Sequence, residues 1–173
     1  MVIILTGNGK GKTTAALGQA MRSVGERKKV LMIQFIKGSW KSGEDESAKL
    51  LEPDFKIIKT GRGFVGILGD KLPREEHAKA AEEGLTLARR EIESAKWDII
   101  ILDEINNAVA LGLLAKESVI EIINFSTNKL EHLILTGRNT PPEFVEKADL
   151  VTEMQDIKHP FEKGMKAKRG LEY

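Results

Sequence analysis

Short apolar runs alternate along the chain with longer segments that carry apolar residues at helical spacing. The runs have the length of strands, consist mainly of β-branched and aliphatic residues, and lack polar alternation, as is typical of strands buried on both faces of a parallel sheet. They predict strands over residues 2–5, 30–35, 55–58, 99–102 and 132–135, with a sixth beginning at 150–151.

Three shorter segments between or after these runs have the pattern of helices. Two of them cover residues 116–125 and 142–148. The other follows the first strand, and we expect Gly25 to form its C-cap. Its predicted apolar face consists of Ala16, Leu17, Ala20, Met21 and Val24.

A longer helix is predicted to begin near Pro73. Apolar residues recur in it at alternating spacings of three and four, which places them in one stripe. Gly84 lies inside this helix and should cost about 1 kcal/mol relative to alanine. The stripe consists of Ala78, Ala81, Leu85, Ala88, Ile92 and Ala95.

Strands that alternate with helices favour an α/β fold of three layers with a mostly parallel sheet. The length of 173 residues indicates a single domain over 1–173. Two segments depart from the alternation, namely residues 36–54 and a basic and aromatic tail over 155–173. Long excursions in compact domains are more often functional than accidental.

Composition narrows the function classes. The chain contains no cysteine, which excludes a disulfide framework and thiolate metal sites. Its 27 basic and 26 acidic residues give a net charge of +1, so it lacks the electrostatic footprint of a nucleic-acid or membrane-surface binder. No apolar run approaches the ~20 residues of a membrane span and no signal-peptide pattern precedes the first strand, so we expect a cytoplasmic protein.

A glycine-rich loop joins the first strand to the first helix, with the sequence Thr6-Gly-Asn-Gly-Lys-Gly-Lys-Thr-Thr14. It matches the phosphate-loop pattern G-x-x-x-x-G-K-[ST], except that Thr6 replaces the first glycine. Converging backbone N–H groups and the helix N-terminus bind phosphate oxygens, Lys12 neutralises their charge, and the Thr13 hydroxyl ligates Mg²⁺. The alternative is a glycine-rich turn with solvated lysines. The residues expected to bind nucleotide are Gly7, Asn8, Gly9, Lys10, Gly11, Lys12, Thr13 and Thr14.

Two carboxylates end the predicted fourth strand. Asp103 and Glu104 follow the apolar run 99–102 directly. In phosphate-loop proteins an acid at this place helps to hold Mg²⁺. The alternative interpretation is capping of the next helix, for which acidic residues are also suited.

A basic residue follows the predicted fifth strand. Arg138 lies where ligands bind in open α/β sheets, beyond the carboxyl ends of the strands, and contacts either a phosphate or a surface carboxylate. The histidines His77, His132 and His159 have no metal-ligand spacing, and we expect no functional role for the first two.

The run from Thr6 to Gly18 resembles the phosphate loop of the ATP:corrinoid adenosyltransferases of the CobA/BtuR type. Further stretches resemble the same family in the same order, so that the resemblance covers essentially the whole chain. They are Gln34-Phe-Ile-Lys-Gly38, Leu102-Asp-Glu-Ile105, Leu135-Thr-Gly-Arg-Asn139, Ala148-Asp-Leu-Val-Thr-Glu-Met154, Lys158-His-Pro-Phe161, Gly164-Met-Lys-Ala167 and Gly170-Leu-Glu-Tyr173.

This resemblance implies transfer of the 5′-deoxyadenosyl group of ATP to cobalt(I) of a reduced corrinoid, with triphosphate as the leaving group. It also implies a RecA-like fold, a homodimer, Mg²⁺ or Mn²⁺ with the nucleotide, and a flavoprotein as the source of electrons. The nucleotide lies in the loop in reversed polarity, which presents the ribose 5′-carbon for attack. Lys12, Thr13 and Glu104 are then the expected catalytic residues, and Glu104 is the family's acidic residue near nucleotide and metal.

Two departures from the family pattern concern closure and the corrinoid. Members often carry an N-terminal extension that covers the neighbouring subunit's site, whereas this sequence begins at the first strand, so we expect closure to be absent or supplied differently. Members also use a Phe and a Trp two residues apart to displace the lower ligand of cobalt. Here the matching run keeps Phe64 as the expected corrinoid contact but has Gly66 in the place of the Trp.

Two other functions are compatible with the residues alone. A phosphoryl-transfer enzyme, either an ATPase or a small-molecule kinase, would hold Mg²⁺ on Asp103 and release ADP. A non-catalytic, nucleotide-gated module would bind nucleic acid or a partner through the basic tail, although the near-zero net charge counts against it.

Overall fold

A computed structural model describes residues 1–67, 69–158 and 168–171. Six parallel strands form one sheet in the order β3-β2-β4-β5-β1-β6. All six lie where the apolar runs predict them. They are β1 (Val2–Thr6), β2 (Val30–Gln34), β3 (Phe55–Lys59), β4 (Ile99–Asp103), β5 (His132–Thr136) and β6 (Leu150–Glu153).

The strand sequences follow from position in the sheet. Every residue of β2 and β4 is buried, because both strands have neighbours on each side and helices on each face. The edge strands β3 and β6 are more exposed, and all four residues of β6 are exposed. The absence of polar alternation therefore marks the interior strands, as the sequence predicts.

Six helices connect the strands in the described part of the chain. The segment 36–54, which departs from the predicted alternation, contains a helix opened by a capping box at Ser42 and Asp45. The helices are α1 (Lys12–Gly25), α2 (Gly43–Leu50), α3 (Arg74–Glu93), α4 (Ile105–Ala110), α5 (Lys116–Ser126) and α6 (Pro142–Lys147).

Two apolar cores, one on each face of the sheet, confirm the three-layer architecture. Alternate residues of β2 show the division, since Leu31 and Ile33 belong to one core while Val30 and Met32 belong to the other. Helices α3, α4, α5 and α6 cover the first face, and α1 and α2 cover the second.

Three details of the predicted helices are wrong. Met21 is 69% exposed rather than part of the buried face of α1. Gly25 is the last residue of α1 and Glu26 is the C-cap, while Arg27 takes the left-handed conformation that a glycine C-cap would have provided. Ala95 lies beyond the end of α3 and is exposed, so the stripe ends at Ile92.

The register aligns the carboxyl ends of the central strands. Gln34 is the register partner of Asp103, and Thr136 is the partner of Leu5 in β1. Polar side chains from three strands thus meet in one row beside the loop that follows β1. Within the described residues, no helix has the length and apolar character to cross a membrane.

Candidate active site

The loop after β1 depends on glycine at its two bends. Gly7 has φ 95° and Gly11, the N-cap of α1, has φ 119°, in a region that side chains disfavour. Lys12 is therefore the first residue of the helix, as the phosphate-loop pattern predicts. Asn8 and Thr14 are exposed next to these bends, where a ligand of the loop can reach them.

The Lys12 ammonium lies inside the loop. Its Nζ donates to the backbone oxygens of Gly7 at 2.8 Å and Gly9 at 2.7 Å, which leaves one of its three donors for another acceptor. Burial, and then the positive charge of Arg138, lower the pKa of Lys12 from its usual value. Lys12 is therefore bound within the loop and is not the solvated lysine that the alternative interpretation of the loop requires.

Asp103 is fully buried at the end of β4 and accepts three side-chain hydrogen bonds. Its Oδ1 accepts hydrogen bonds from the hydroxyls of Thr13 at 2.9 Å and Thr136 at 2.7 Å, and its Oδ2 accepts one from Nε2 of Gln34 at 3.0 Å. Burial nevertheless raises the pKa of Asp103 above its usual value, because the charged form has lost its hydration. The carboxylate joins the phosphate loop to the sheet edge.

Glu104 takes the left-handed conformation, with φ 63°, between β4 and α4. Its backbone N–H donates to the Thr136 hydroxyl at 2.8 Å, and its side chain makes no capping bond to α4. Burial, and then the neighbouring Asp103 carboxylate, raise the pKa of Glu104. The side chain of Glu104 therefore does not cap α4, and the Asp103 carboxylate accepts hydrogen bonds from side chains of α1, β2 and β5.

Arg138 follows β5 and is exposed at the same edge of the sheet. Its backbone N–H donates to Oδ1 of Asn107 at 2.6 Å, which fixes the start of the segment. Its charge contributes to the lowered pKa of Lys12 and partly opposes the raised pKa of Glu104, so the guanidinium lies near the loop. Among the described residues it forms no ion pair, which removes the surface salt bridge as an interpretation.

The segment after β6 lies against the glycine loop, a contact that the sequence analysis missed. The Gly9 N–H donates to the Met154 oxygen at 2.7 Å, and a Cβ on Gly9 would lie 2.5 Å from the Gln155 oxygen. Lys10 donates to the backbone oxygen of Leu171 at 2.7 Å, which brings the predicted tail to the loop. The tail stretches quoted above lie largely outside the described residues, and these include His159, Phe161, Met165, Lys166 and Tyr173.

Phe64 forms an exposed aromatic pair with a residue that the sequence analysis did not single out. Its ring centroid lies 5.2 Å from that of Trp40, and the two residues are 41% and 58% exposed. Gly66 has φ 70° and open space around its Cβ position, so the turn rather than crowding favours glycine there. The two adjacent rings give this part of the sheet edge an exposed apolar surface.

His77 has a structural role. It is buried on α3, and its Nε2 lies 3.0 Å from Oδ2 of Asp70. Asp70 also accepts the backbone N–H groups of Gly66 at 2.8 Å and Leu72 at 3.0 Å, which lower its pKa. The pair ties the loop that carries Phe64 to α3.

The structure thus brings Lys12, Thr13, Asp103, Glu104 and Arg138 together at one edge of the sheet, with the aromatic pair farther along it. Nowhere in the described ranges do three His, Cys, Asp or Glu residues converge on a metal site. The oxygen groups that do converge are the Thr13 hydroxyl and the two carboxylates. Such a set suits a hard cation that also binds phosphates.

Comparison with known proteins gives full-length matches. The model of the family described as "ATP:corrinoid adenosyltransferase BtuR/CobO/CobP" matches residues 1–173. A corrinoid adenosyltransferase of Escherichia coli (strain K12) is 39% identical, covering 100% of this chain and 85% of that protein. The corrinoid adenosyltransferase CobA of Salmonella typhimurium is 37% identical with the same coverage, and one from Pseudomonas aeruginosa is 32% identical, covering 100% and 83%.

Similar solved structures confirm the fold. The flagellar accessory protein FlaH from Methanocaldococcus jannaschii has a TM-score of 0.56 at 13% identity, over 88% of this chain and 69% of that one. A KaiC-like protein from Pyrococcus horikoshii has a TM-score of 0.56 at 15% identity, over 91% and 72%. The architecture is the RecA-like phosphate-loop fold that the resemblance implies.

Proposed function

The chain belongs to the ATP:corrinoid adenosyltransferase family, and we propose that it transfers the 5′-deoxyadenosyl group of ATP to cobalt(I) of a reduced corrinoid. The cobalt electron pair forms a bond to the ribose 5′-carbon, the carbon–oxygen bond breaks, and triphosphate leaves with that bonding pair. Cobalt(I) is itself the nucleophile, so the chain needs no general base. The observation that carries the proposal is the 2.9 Å hydrogen bond from the Thr13 hydroxyl to Asp103. It joins the phosphate loop to the acidic end of β4 in a chain that matches the family over its whole length.

The demanding part of this reaction is the charge that develops on three linked phosphates. Lys12 is already held by two loop oxygens, so its remaining donor needs little reorganisation to serve the leaving group. The N-terminus of α1 adds its dipole and the backbone amides of its first turn, and Arg138 adds a second cation nearby. We infer that the nucleotide lies here with its 5′-carbon directed away from the loop, in the reversed polarity that the resemblance implies.

Mg²⁺ or Mn²⁺ fits the oxygen groups beside the loop. The Thr13 hydroxyl, Asp103 and Glu104 would hold it together with phosphate oxygens, since Mg²⁺ in nucleotide sites uses one or two carboxylates. Asp103 is buried, Glu104 is half-buried, and the pKa of each carboxyl is raised, so a neighbouring cation would favour their ionised forms. When bound, the cation supplies positive charge to the departing triphosphate.

The aromatic pair is the corrinoid surface in this proposal. Phe64 and Trp40 present exposed apolar rings at the same edge of the sheet as the nucleotide loop. A corrin macrocycle has a broad apolar face that suits contact with such rings. Trp40 supplies the second ring that the family places at the position of Gly66, and Gly66 itself serves the turn held by Asp70.

The proposal includes a cytoplasmic homodimer and a flavoprotein that reduces the corrinoid. The resemblance supports both partners. ATP and a reduced corrinoid are the small-molecule substrates, and the proposal assigns no role to nucleic acid or to a membrane.

One reaction tests the proposal against its rivals. The protein is incubated with Mg-ATP and chemically reduced cobalamin, and both the cobalt–carbon bond and the phosphate product are followed. We expect adenosylated corrinoid and inorganic triphosphate in equal amounts. ADP without adenosylated corrinoid would indicate an ATPase or kinase, with Glu104 orienting a water. Neither product, with steeply salt-dependent binding of DNA or RNA, would indicate a binding module.

A further inference from the structure

A cavity of about 420 Å³ opens at the carboxyl ends of β2 and β3, apart from the nucleotide loop. Its walls come from the last residue of β3 and from the segments that follow the two strands, and Glu83 of α3 completes it. The two segments touch, because a Cβ on Gly38 would lie 3.0 Å from the backbone nitrogen of Gly63. The lining from these segments consists of Gly38, Ser39, Lys59, Thr60, Gly61 and Arg62.

Arg62 is the cation that this cavity leaves available. The other basic group, Lys59, is engaged by Oδ2 of Asp45 at 2.6 Å and by the backbone oxygen of Trp40 at 2.7 Å. Arg62 is exposed and has no ion pair or hydrogen bond from its side chain to any described residue. The backbone N–H groups of Gly38, Ser39 and Arg62 likewise have no acceptor within the part of the chain that the structure describes.

The cavity adjoins the aromatic pair. Trp40 directly follows the lining residue Ser39, and Phe64 comes two residues after Arg62. A flat ring system that lies on Phe64 and Trp40 therefore brings its peripheral groups to the mouth of the cavity. The Arg62 guanidinium and the three amides, which have no partner among the described residues, all donate hydrogen bonds, whereas Glu83 is the one carboxylate in the lining. This excess of donors favours a group with several acceptor oxygens and negative charge.

We propose that this cavity binds the phosphodiester in the nucleotide tail of a complete corrinoid, with Arg62 as its charged partner. The inference rests on the proposed function, in which the corrin ring lies on the aromatic pair. The remaining ring substituents are largely neutral amides, so the phosphodiester is the anionic group that matches Arg62. The cavity thereby favours complete corrinoids over those that lack the tail.

The phosphates of ATP are a second source of the same chemistry, and the sheet order argues against them. From β2 to β1 the order runs through β4 and β5, which separates the two loops by about 14 Å at the usual strand spacing. The nucleotide loop has its own cation in Lys12. Effects at Arg62 should therefore appear in the KM for corrinoid and not in the KM for ATP.

The test compares cobalamin with cobinamide, which lacks the nucleotide tail, as substrates of the full chain. We expect Arg62→Gln to raise the KM for cobalamin roughly five- to tenfold, because a charge-assisted hydrogen bond is lost. The KM for cobinamide and the KM for ATP should stay within about twofold of the original values. Arg62→Lys keeps the charge without the planar fork and should give an intermediate rise for cobalamin.

Lys41→Gln is the matched control, since it removes an exposed positive charge next to Trp40 but outside the cavity. It should change neither corrinoid KM by more than about twofold. Three results for Arg62→Gln would overturn the inference while the proposed function stands. They are an equal rise in the KM for both corrinoids, no rise in the KM for either, and a rise in the KM for ATP. A protein that adenosylates neither corrinoid would overturn the proposed function and this inference with it.

Discussion

The hydroxyl of Thr13 donates to Oδ1 of Asp103 at 2.9 Å and so joins the first turn of α1 to the end of β4. Asp103 also accepts hydrogen bonds from the side chains of Thr136 and Gln34, so one carboxylate connects three strands and the phosphate loop. Because all three donors are held by regular elements, the position of Thr13 is fixed by the sheet. The contacts with the sheet therefore position the phosphate loop before a ligand binds.

Asp103→Asn should abolish most of the activity without loss of stability. Burial raises the pKa of Asp103, so the ionised carboxylate destabilises the folded state at neutral pH. Where the new amide nitrogen takes the place of Oδ2, the Gln34 amide turns over, so that Oε1 instead of Nε2 faces it and accepts its hydrogen bond. We expect the unfolding free energy at pH 7 to be unchanged or higher by about 1–2 kcal/mol, with adenosyl transfer reduced at least tenfold.

The pH dependence gives this prediction its sign. When folding raises the pKa of a carboxyl, the folded protein loses stability as the pH rises from the unfolded-state pKa, near 3.9, to the higher folded-state pKa. The stability gain of Asp103→Asn should therefore be greater at pH 7 than at about pH 4. Urea unfolding at both values measures it, and a larger gain in acid would contradict the assignment.

Lys12→Ala should weaken ATP binding and leave the fold intact. The side chain is partly buried within the loop, where it bonds the Gly7 and Gly9 oxygens and has one donor left for phosphate. We expect the Kd for ATP to rise about ten- to a hundredfold, as for a lost charge-assisted contact, by calorimetric titration. Lys56→Ala, at an exposed position of β3, is the control and should bind ATP normally. Normal turnover of the Lys12 variant would mean that the loop assignment is wrong.

Two glycines near the start of the chain should respond oppositely to alanine. A Cβ on Gly9 would lie 2.5 Å from the Gln155 oxygen, so Gly9→Ala must displace the segment after β6 and lose the bond to Met154. A Cβ on Gly18, in α1, meets nothing within 4 Å. We expect Gly9→Ala to lose about 1–3 kcal/mol and to weaken ATP binding, whereas Gly18→Ala gains up to about 1 kcal/mol. Equal unfolding midpoints for the two variants would refute the close contact.

Trp40→Ala should raise the KM for cobalamin and for cobinamide alike. Both corrinoids present the same ring to the pair formed by Trp40 and Phe64, so the loss is independent of the nucleotide tail. We expect a rise of about three- to tenfold, from the contribution of one aromatic contact, with the ATP Kd unchanged. Trp40→Phe keeps a ring and should stay within about twofold. An effect confined to cobalamin would assign Trp40 to the tail instead of the ring.

The sequence allows the sheet to be predicted closely because interior strands have a simple requirement. All six apolar runs became strands, and the motif residues Lys12, Thr13 and Asp103 meet because parallel strands end at one edge. The sequence did not allow us to predict positions that depend on contacts between distant segments. The place of Trp40 beside Phe64 and the packing of Met154 on the glycine loop are set by tertiary structure, which local patterns do not encode.

Local rules also do not predict which neighbour a single side chain will contact. Met21 fits the apolar spacing of α1 but lies at the border of the buried face, and it is exposed. His77 has no motif around it, because its partner Asp70 belongs to a loop whose path is invisible in the sequence. Both cases show that spacing predicts a face but not which neighbour that face will meet.

Gly84→Ala should destabilise the protein, although alanine is the better helix former. The propensity scale alone predicts a gain of about 1 kcal/mol inside α3. In the structure a Cβ at Gly84 would lie 2.6 Å from Oγ1 of Thr60 and 3.1 Å from the ring of Phe35, so we expect a loss of about 1–3 kcal/mol in urea unfolding. Thr60→Ala in the same chain removes the closer atom and should recover part of the loss. Because Thr60 lines the proposed tail cavity, Gly84→Ala should also raise the KM for cobalamin more than the KM for cobinamide. A stabilised variant with both KM values unchanged would contradict the close contact of α3 with the segment that follows β3.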